Sequence, residues 1–586
     1  ASWGSSYASF GEVQLGRPDD NDEMQAFRDG NFPRWFDRQA FQSYSFCRLC
    51  ERFGKGFRRI DPESRCGFEG AGTFGQADDL DGFVRYNGFW SPYPGSADEV
   101  LRSIAPRDFP RSNWMGYTKD ADSLLEKYWR MLTRGCDSVW WWRWEVLGRF
   151  HGWLAPSLDP YPAVQEILRD TQIVRDGLGD LLLRSEMQTD GIGILYSQPS
   201  AYAAKVQSSP SFGTYERNHE AFHGALRGLG LNFRYITDRQ LRLGEVSLRP
   251  FKVVILPMAQ ALSAREAELL REYVREGGML IADVRPGLYD GHVKPLAAGQ
   301  LDDVLGVRRT GADAALIADG AVTVARADGG AESLVLPRAQ ADGGVQAAGA
   351  AVGGAAGQAP LFLVNRFGKG QAVLLNLSMG SFPAPGSDAA AALAARLWRQ
   401  TLALGEIAPA LELRDAQGQP VLNVEVTRWT NGPVQIVSLF RHAGAPETVT
   451  LRLSQAAYGY DLKQRRDLGH QTEFALPVTP SRACFYALSP APLGPVTLTA
   501  GAPTAPGGVH LTRLASKLPQ GQQGVSVRVE LPDGRLADWV EPVALADAKG
   551  TTVAVPVALN DPTGTWTVRA TDVYTGQTAV TRFEVK

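Results

Sequence analysis

Residues 136–146 read CDSVWWWRWEV, which puts Trp140, Trp141, Trp142 and Trp144 within five positions, with Arg143 among them and Glu145 directly after. A core rarely gathers indoles this closely, because each ring N–H must find a partner when buried. A wall that stacks against sugar rings or other flat ligands needs them. At strand periodicity Trp140, Trp142 and Trp144 share one face, and Trp141 and Arg143 share the other. One set then fills a core, while Trp142 and Trp144, near the strand end, face a ligand; Trp90 and Trp114, near other strand ends, extend that wall. Glu69, in CGFEGAG, sits among glycines that allow close approach. Glu69 and Glu145 are the candidate catalytic carboxylates, with structural pairing to Arg102 or Arg143 as the alternative. HEAFH at 219–223 matches the zinc-protease signature, placing His219 and His223 on one helical face with Glu220 as a base. Phe222, Leu226 and Leu229 of the same helix are needed for packing and no third ligand follows, so packing is the preferred reading. Cys47 and Cys50 form C-x-x-C within a helical pattern that lacks a second pair at zinc-finger spacing. They read as two small apolar residues on one face. Neither a metal nor a cofactor is expected.

These residues belong to a 586-residue chain, long enough for three to five domains at roughly 100–200 residues each. A net charge of −3 and a pI near 6.3 supply no basic field for nucleic acid. No stretch approaches the ~20 apolar residues of a membrane span. Five cysteines in this length are no disulfide framework. The opening ASWGSSYASF has no initiator Met, charged region or apolar core, so a removed leader or a start within a longer protein is expected, with an extracellular or periplasmic location.

The elements that must position the candidates follow a βα rhythm from residue 1 to about 187. A helix over WFDRQAFQSYSFCRLCERFGKGFRRID precedes a strand at SRCGFEG. A helix at DDLDGFVRYNGF, strands at EVLRSIA and NWMGYT, a helix at SLLEKYWRMLTRG and the strand DSVWWWRW come next. Repetition of this kind implies a parallel sheet or barrel with right-handed crossovers. A helix over 161–185 closes the region. Between 188 and 408, apolar strands at GIGILYS, NFRYIT, FKVVILPM, MLIADV and GQAVLLNLS, alternating with helices, predict a flavodoxin-like doubly wound sheet. ADGGVQAAGAAVGGAAGQA reads as a flexible surface loop. Residues 409–491 read as a small antiparallel β-domain, and 492–586, beyond a Pro/Gly-rich linker, as an immunoglobulin-like sandwich. The fold class is multidomain α/β plus all-β.

FKVVILPMAQALSAREAELLREYVREGGMLIADVRPGLYDGH and RGCDSVWWWRWEVLGRFHGWLAPSLDPYPAVQEI resemble the family-42 β-galactosidases over roughly residues 1–490. The resemblance implies a (β/α)₈ barrel whose eighth strand is DSVWWWRW, followed by a trimerisation module without amidotransferase chemistry. Met258, after VVILP, stands where an amidotransferase nucleophile would be. WGSSYASFGEVQLG resembles the segment after the fourth barrel strand, so only the second half of the barrel is expected, with the family's acid/base Glu before Ala1 and a separate or preceding N-terminal half barrel as a partner. The family's nucleophile lies on strand seven, yet NWMGYT has no carboxylate, so either Glu69 or Glu145 substitutes or hydrolysis has been lost. The resemblance implies a homo-oligomer, a trimer, that acts on or binds β-linked glycans. The rivals are a non-catalytic glycan-binding surface or assembly protein, and a zinc-dependent hydrolase using HEAFH.

Overall fold

The computed structural model describes residues 1–586 apart from 1–2, 4–8, 10–11, 13–21, 117, 119, 146–151, 208–211, 311–314, 326–329 and 383–387. Nearly all of WGSSYASFGEVQLG and most of GRFHG lie outside the described residues. The chain forms two compact units: residues 1–114, 134–140 and 189–409, and residues 115–133, 141–188 and 410–586.

In the first unit a short helix, Asp22–Arg28, precedes a long one, Phe32–Arg58, capped by the Asn31 side chain on the Arg34 amide. The barrel strands follow as β1 (Gly67–Glu69), β2 (Phe89–Ser91), β3 (Ser112–Gly116) and β4 (Ser138–Trp142). β1 and β2 run parallel with Glu69 opposite Ser91, a parallel bridge joins Trp90 to Arg111 at the start of β3, and β3 pairs with β4. The division between the two units passes through β3 and β4. EVLRSIA, expected as a strand, is instead part of the helix Ser96–Ile104. Ala97, Val100 and Leu101 recur at helical spacing and are buried, and the Asp98 carboxylate accepts the Gly95 amide at the helix start. The strand is FWS, three residues too short to show a period, whose Phe89 was expected to end the preceding helix.

The middle sheet uses β5 (Ile192–Tyr196), β6 (Phe233–Thr237), β7 (Val253–Leu256), β8 (Met279–Ala282), β9 (Ala315–Ala325), β10 (Ala331–Asp342), β11 (Ala351–Ala356), β12 (Ala359–Phe367) and β13 (Gly370–Leu375). Its order is β10-β9-β11-β12-β13-β8-β7-β5-β6. The stretch from β13 to β6 is parallel, and its apolar runs are buried along their length, as strands covered by helices on both faces must be. The Ala264–Glu276 helix shows how closely local sequence dictates the element. The Ser263 hydroxyl accepts the Glu266 amide, the Glu266 carboxylate accepts the Ser263 amide, and Gly277 ends the helix at φ 125°. The Gly/Ala-rich stretch is no loop: it supplies the short strand Val345–Ala347, β11 and the start of β12. Small residues are what this place accepts, since a Cβ on Gly354 would stand 2.1 Å from the Ala321 carbonyl oxygen. Backbone ladders to β9 and β12 supply the order that the side chains do not signal.

In the second unit, the Ala121–Thr133 helix is followed by Pro162–Asp170, a π-helical turn Val174–Leu178 and Gly179–Arg184, where a single helix was expected. The break falls at Gly177, φ 115°, whose hypothetical Cβ would lie 3.1 Å from the Val525 amide nitrogen, so the chain bends where it meets the C-terminal sandwich. A seven-stranded sheet follows, built from residues 412–489 with Glu186–Met187 added antiparallel at one edge. Lys463 ties it to the helices by pairing with Asp170 at 2.8 Å while lying over Trp129, whose indole N–H also donates to Asp170. The last seven strands form a three-stranded and a four-stranded sheet that share one core, including Leu514, Val527, Val555, Trp566 and Phe583. Val543–Ala546, the fourth of them, pairs with the third rather than the fifth.

Candidate functional site

At the end of β1, Glu69 is exposed and makes no hydrogen bond or ion pair with a described residue. The chain then turns through Gly70, Ala71 and Gly72 at φ 84°, 57° and 90°, a left-handed run that the two glycines tolerate. Tyr93 lies against this turn: a Cβ on Gly70 would stand 3.4 Å from its ring, and the ring meets Trp114 edge-on at 5.6 Å. Tyr93 is 49% exposed and Trp114 half-buried, so this pair forms an aromatic surface beside Glu69. Sequence reasoning missed Tyr93; WSPYPGS shows no period, and only the turn chemistry around it marks it as lying on a loop. Trp90 is corrected. Its ring is fully buried, its N–H donates to the Gly70 carbonyl at 3.0 Å, and it leaves no face for a ligand.

The Arg102 partner expected for Glu69 belongs elsewhere. Glu99, fully buried, holds Arg102 and Arg227 at 2.8 Å and Arg134 at 3.4 Å. Burial pushes the Glu99 pKa up, but the guanidinium groups of Arg227, Arg102 and Arg134 overcome this and hold it well below the usual carboxylate range. β3 itself offers Asn113, which donates to Asp98 and accepts the Trp114 amide, and no carboxylate.

At the end of β4 the expected alternation holds through Trp142. Trp140 and Trp142 are each 37% exposed, while Trp141 turns inward onto Trp153 at a ring distance of 4.5 Å. Trp144 departs from strand register: it is 48% exposed, yet packs at 6.1 Å from Trp141 and 6.2 Å from Trp153. The Trp142–Arg143 peptide is cis. Arg143 lies 5.7 Å from the Trp142 ring centre and binds the Glu145 carboxylate at 2.6 Å. The other oxygen of Glu145 is buried without a hydrogen-bond partner among the described residues. The backbone is fastened too, as the Glu145 and Trp153 amides both donate to the Arg143 carbonyl and the Trp153 indole donates to the Trp142 carbonyl. This end therefore joins an anchored carboxylate, a cation and two exposed indoles, groups suited to holding a sugar ring and its hydroxyls.

HEAFH is packing. His219 and His223 are buried and both turn Nδ1 toward the Tyr235 hydroxyl, at 3.3 and 3.2 Å, while Glu220 is exposed. A zinc-protease centre needs the carboxylate and both imidazoles around one open position, which this helix does not provide. Among the described residues no group of three or more potential metal ligands occurs. Met258 adopts φ 44°, its amide donates to Asp283 at 2.6 Å, and its thioether accepts from Asn218. The nucleophile position of an amidotransferase thus holds a buried thioether. Cys47 is buried and Cys50 half-buried, both as free thiols.

Residues 190–402 match the family described as the β-galactosidase trimerisation domain. Among curated proteins, β-galactosidase BgaA of Clostridium cellulovorans is 24% identical over 213 residues, 35% of this chain, and the match spans 29% of that relative's length. Among solved structures, a β-galactosidase from Bacillus circulans sp. alkalophilus superposes with a TM-score of 0.64 at 17% identity, over 78% of this chain and 68% of that one. A family-42 β-galactosidase from G. stearothermophilus gives 0.62 at 14% identity, over 82% and 71%. A β-galactosidase from Rahnella sp. R3 gives 0.62 at 16%, over 83% and 72%. Residues 190–402 thus match the β-galactosidase trimerisation domain, and the chain shares the fold of these β-galactosidase structures over about four-fifths of its length.

Proposed function

We propose that the protein is a glycoside hydrolase-like protein that takes β-linked glycans at the strand ends of its barrel portion. The observation that carries this reading is the β4 end, where exposed Trp142 and Trp144 flank the Arg143–Glu145 ion pair. In hydrolysis, an acid/base and a nucleophilic carboxylate act on a glycosidic bond through an oxocarbenium-like state. Glu69, whose carboxylate has no pairing partner among the described residues, is the candidate for proton transfer in the first unit, and Glu145, ion-paired with Arg143 at 2.6 Å, is the candidate carboxylate of the second. The trimerisation domain supports self-association, and an extracellular or periplasmic setting fits a glycan-directed role. Hydrolysis of p-nitrophenyl β-D-galactopyranoside tests the enzyme reading: Glu69→Gln and Glu145→Gln should each lower turnover by at least about a hundredfold. Unchanged turnover in both variants would remove these residues from the chemistry.

A second reading is glycan binding without hydrolysis, favoured by β3, which carries Asn113 and no Asp or Glu. Saturable binding of lactose with no release of p-nitrophenol by the wild-type protein would select it.

A further inference from the structure

The ten residues after Glu69 are held by the middle domain. Phe74, within the short turn Phe74–Gln76, is buried in a pocket of rings. Tyr196 lies 4.8 Å from it, His219 5.0 Å, Tyr235 6.0 Å and Tyr215 6.1 Å. Tyr196 ends β5, Tyr235 belongs to β6, and Tyr215 and His219 come from the Tyr215–Gly228 helix between them. Polar contacts fix the flanking backbone: the Tyr196 hydroxyl donates to the Asp78 carbonyl at 2.6 Å, Gln198 to Ala77 at 3.1 Å and Lys205 to Gln76 at 3.1 Å. Within the loop, one Asp78 oxygen accepts both the Gly72 and Thr73 amides. Beyond it, Arg239 grips Asp79 at 2.8 Å and Asp81 at 3.1 Å.

In doubly wound sheets, ligands bind outside the carboxyl ends of the strands. Here that edge is occupied by the protein itself. Ser200 bridges β5 to the segment after β7 through two hydrogen bonds with Ala261, and the Phe74 loop lies over β5 and β6. We infer that this pocket is a clamp, that Phe74 is its plug, and that Phe74 is a positioning residue for Glu69 and the Tyr93–Trp114 surface. The coupling is short. Phe74 and Asp78 fix Gly72 and Thr73; the Ala71 carbonyl accepts the Tyr93 amide, the Gly70 amide donates to Ser91, and Glu69 precedes directly. Its consequence for catalysis rests on the proposed function, but the clamp itself does not.

Hydrogen exchange on the full chain without ligand decides it. Phe74→Ala should speed exchange of the Gly70, Gly72, Thr73 and Tyr93 amides by about tenfold or more, with β7 and β8 unchanged. Toluene, small enough for an apolar cavity, should slow it again. Gln198→Ala and Lys205→Ala together remove two of the polar contacts without emptying the pocket, and should accelerate the same amides if Phe74→Ala does not fold. Unchanged exchange at these amides in the variants that fold, or equal acceleration throughout the sheet, would overturn the clamp. If the wild type hydrolyses p-nitrophenyl β-D-galactopyranoside, Phe74→Ala should lower kcat more than it raises KM, with Phe74→Leu recovering part of it. Absence of turnover in the wild type would count against the proposed function and leave the exchange result to stand for the clamp.

Discussion

Glu69 ends β1 in the first unit and Glu145 follows β4 in the second, and their settings are opposite. Glu69 is exposed and makes no ion pair with a described residue, and it is followed by Gly70 and Gly72 in left-handed conformation; its place is set by the loop that they begin. Glu145 is paired, half-buried and fastened through its own amide to the Arg143 carbonyl, which also accepts the Trp153 amide. The contrast teaches that a candidate carboxylate can be positioned by its surroundings or by its partner. A group positioned by its surroundings has no ion pair to lose, and one positioned by a cation loses that contact when it is neutralised. The two should therefore respond differently to mutation.

The largest effect is expected at the foundation of the Glu69 side. Glu99→Gln leaves three guanidinium groups facing a neutral amide in a buried site, and should cost about 3–5 kcal/mol in urea unfolding. Because the Glu99 pKa is depressed in the folded state, its contribution is present above ~4.3, the unfolded value for Glu, and lost as pH falls through the lower folded value. Wild-type protein should lose stability in that acid range and Glu99→Gln should lose less. At the carboxyl edge of the middle sheet the sign reverses. Burial first, and then the nearby Asp238 charge, raise the Glu266 pKa, and burial raises that of Asp238. Their contribution is full below the unfolded carboxylate values and is lost as pH rises through the folded ones. Glu266→Gln should flatten that decline between mildly acid and neutral pH, read as Tm against pH.

Glu145→Gln should come next, at about 1–3 kcal/mol, since it removes the Arg143–Glu145 ion pair beside Trp142. Glu69→Gln, exposed, should leave stability within about 0.5 kcal/mol. Equal losses from the two would abolish the distinction between the strand ends. Trp90→Phe, which removes the N–H donated to Gly70 together with part of a fully buried ring system, should cost about 1–3 kcal/mol and leave glycan affinity unchanged.

Legibility in the sequence followed the length and period of each element. Strands such as VVIL and MLIA, buried along their length, announced the middle sheet, and Ser263 with Glu266 announced a helix start. FWS was illegible because three residues carry no period. β11 was hidden because Ala and Gly are poor strand formers, and only contact with β9 and β12 makes them one. At the candidate site, the alternation of Trp140, Trp141 and Trp142 was readable, as was the Arg143–Glu145 pair. Burial of Trp90 was not, because it depends on Gly72 admitting the ring: a Cβ there would stand 2.6 Å from it. The sharing of one Tyr235 hydroxyl by His219 and His223 depends on a neighbouring strand that the H-E-x-x-H pattern does not encode.

The most direct test of the β4 end as a glycan surface is lactose affinity, measured by tryptophan fluorescence in wild-type protein and in Trp142→Ala. Loss of the ring should weaken binding by about 1 kcal/mol, roughly fivefold. Equal affinity in the two proteins, or no saturable binding by the wild type, would contradict the account.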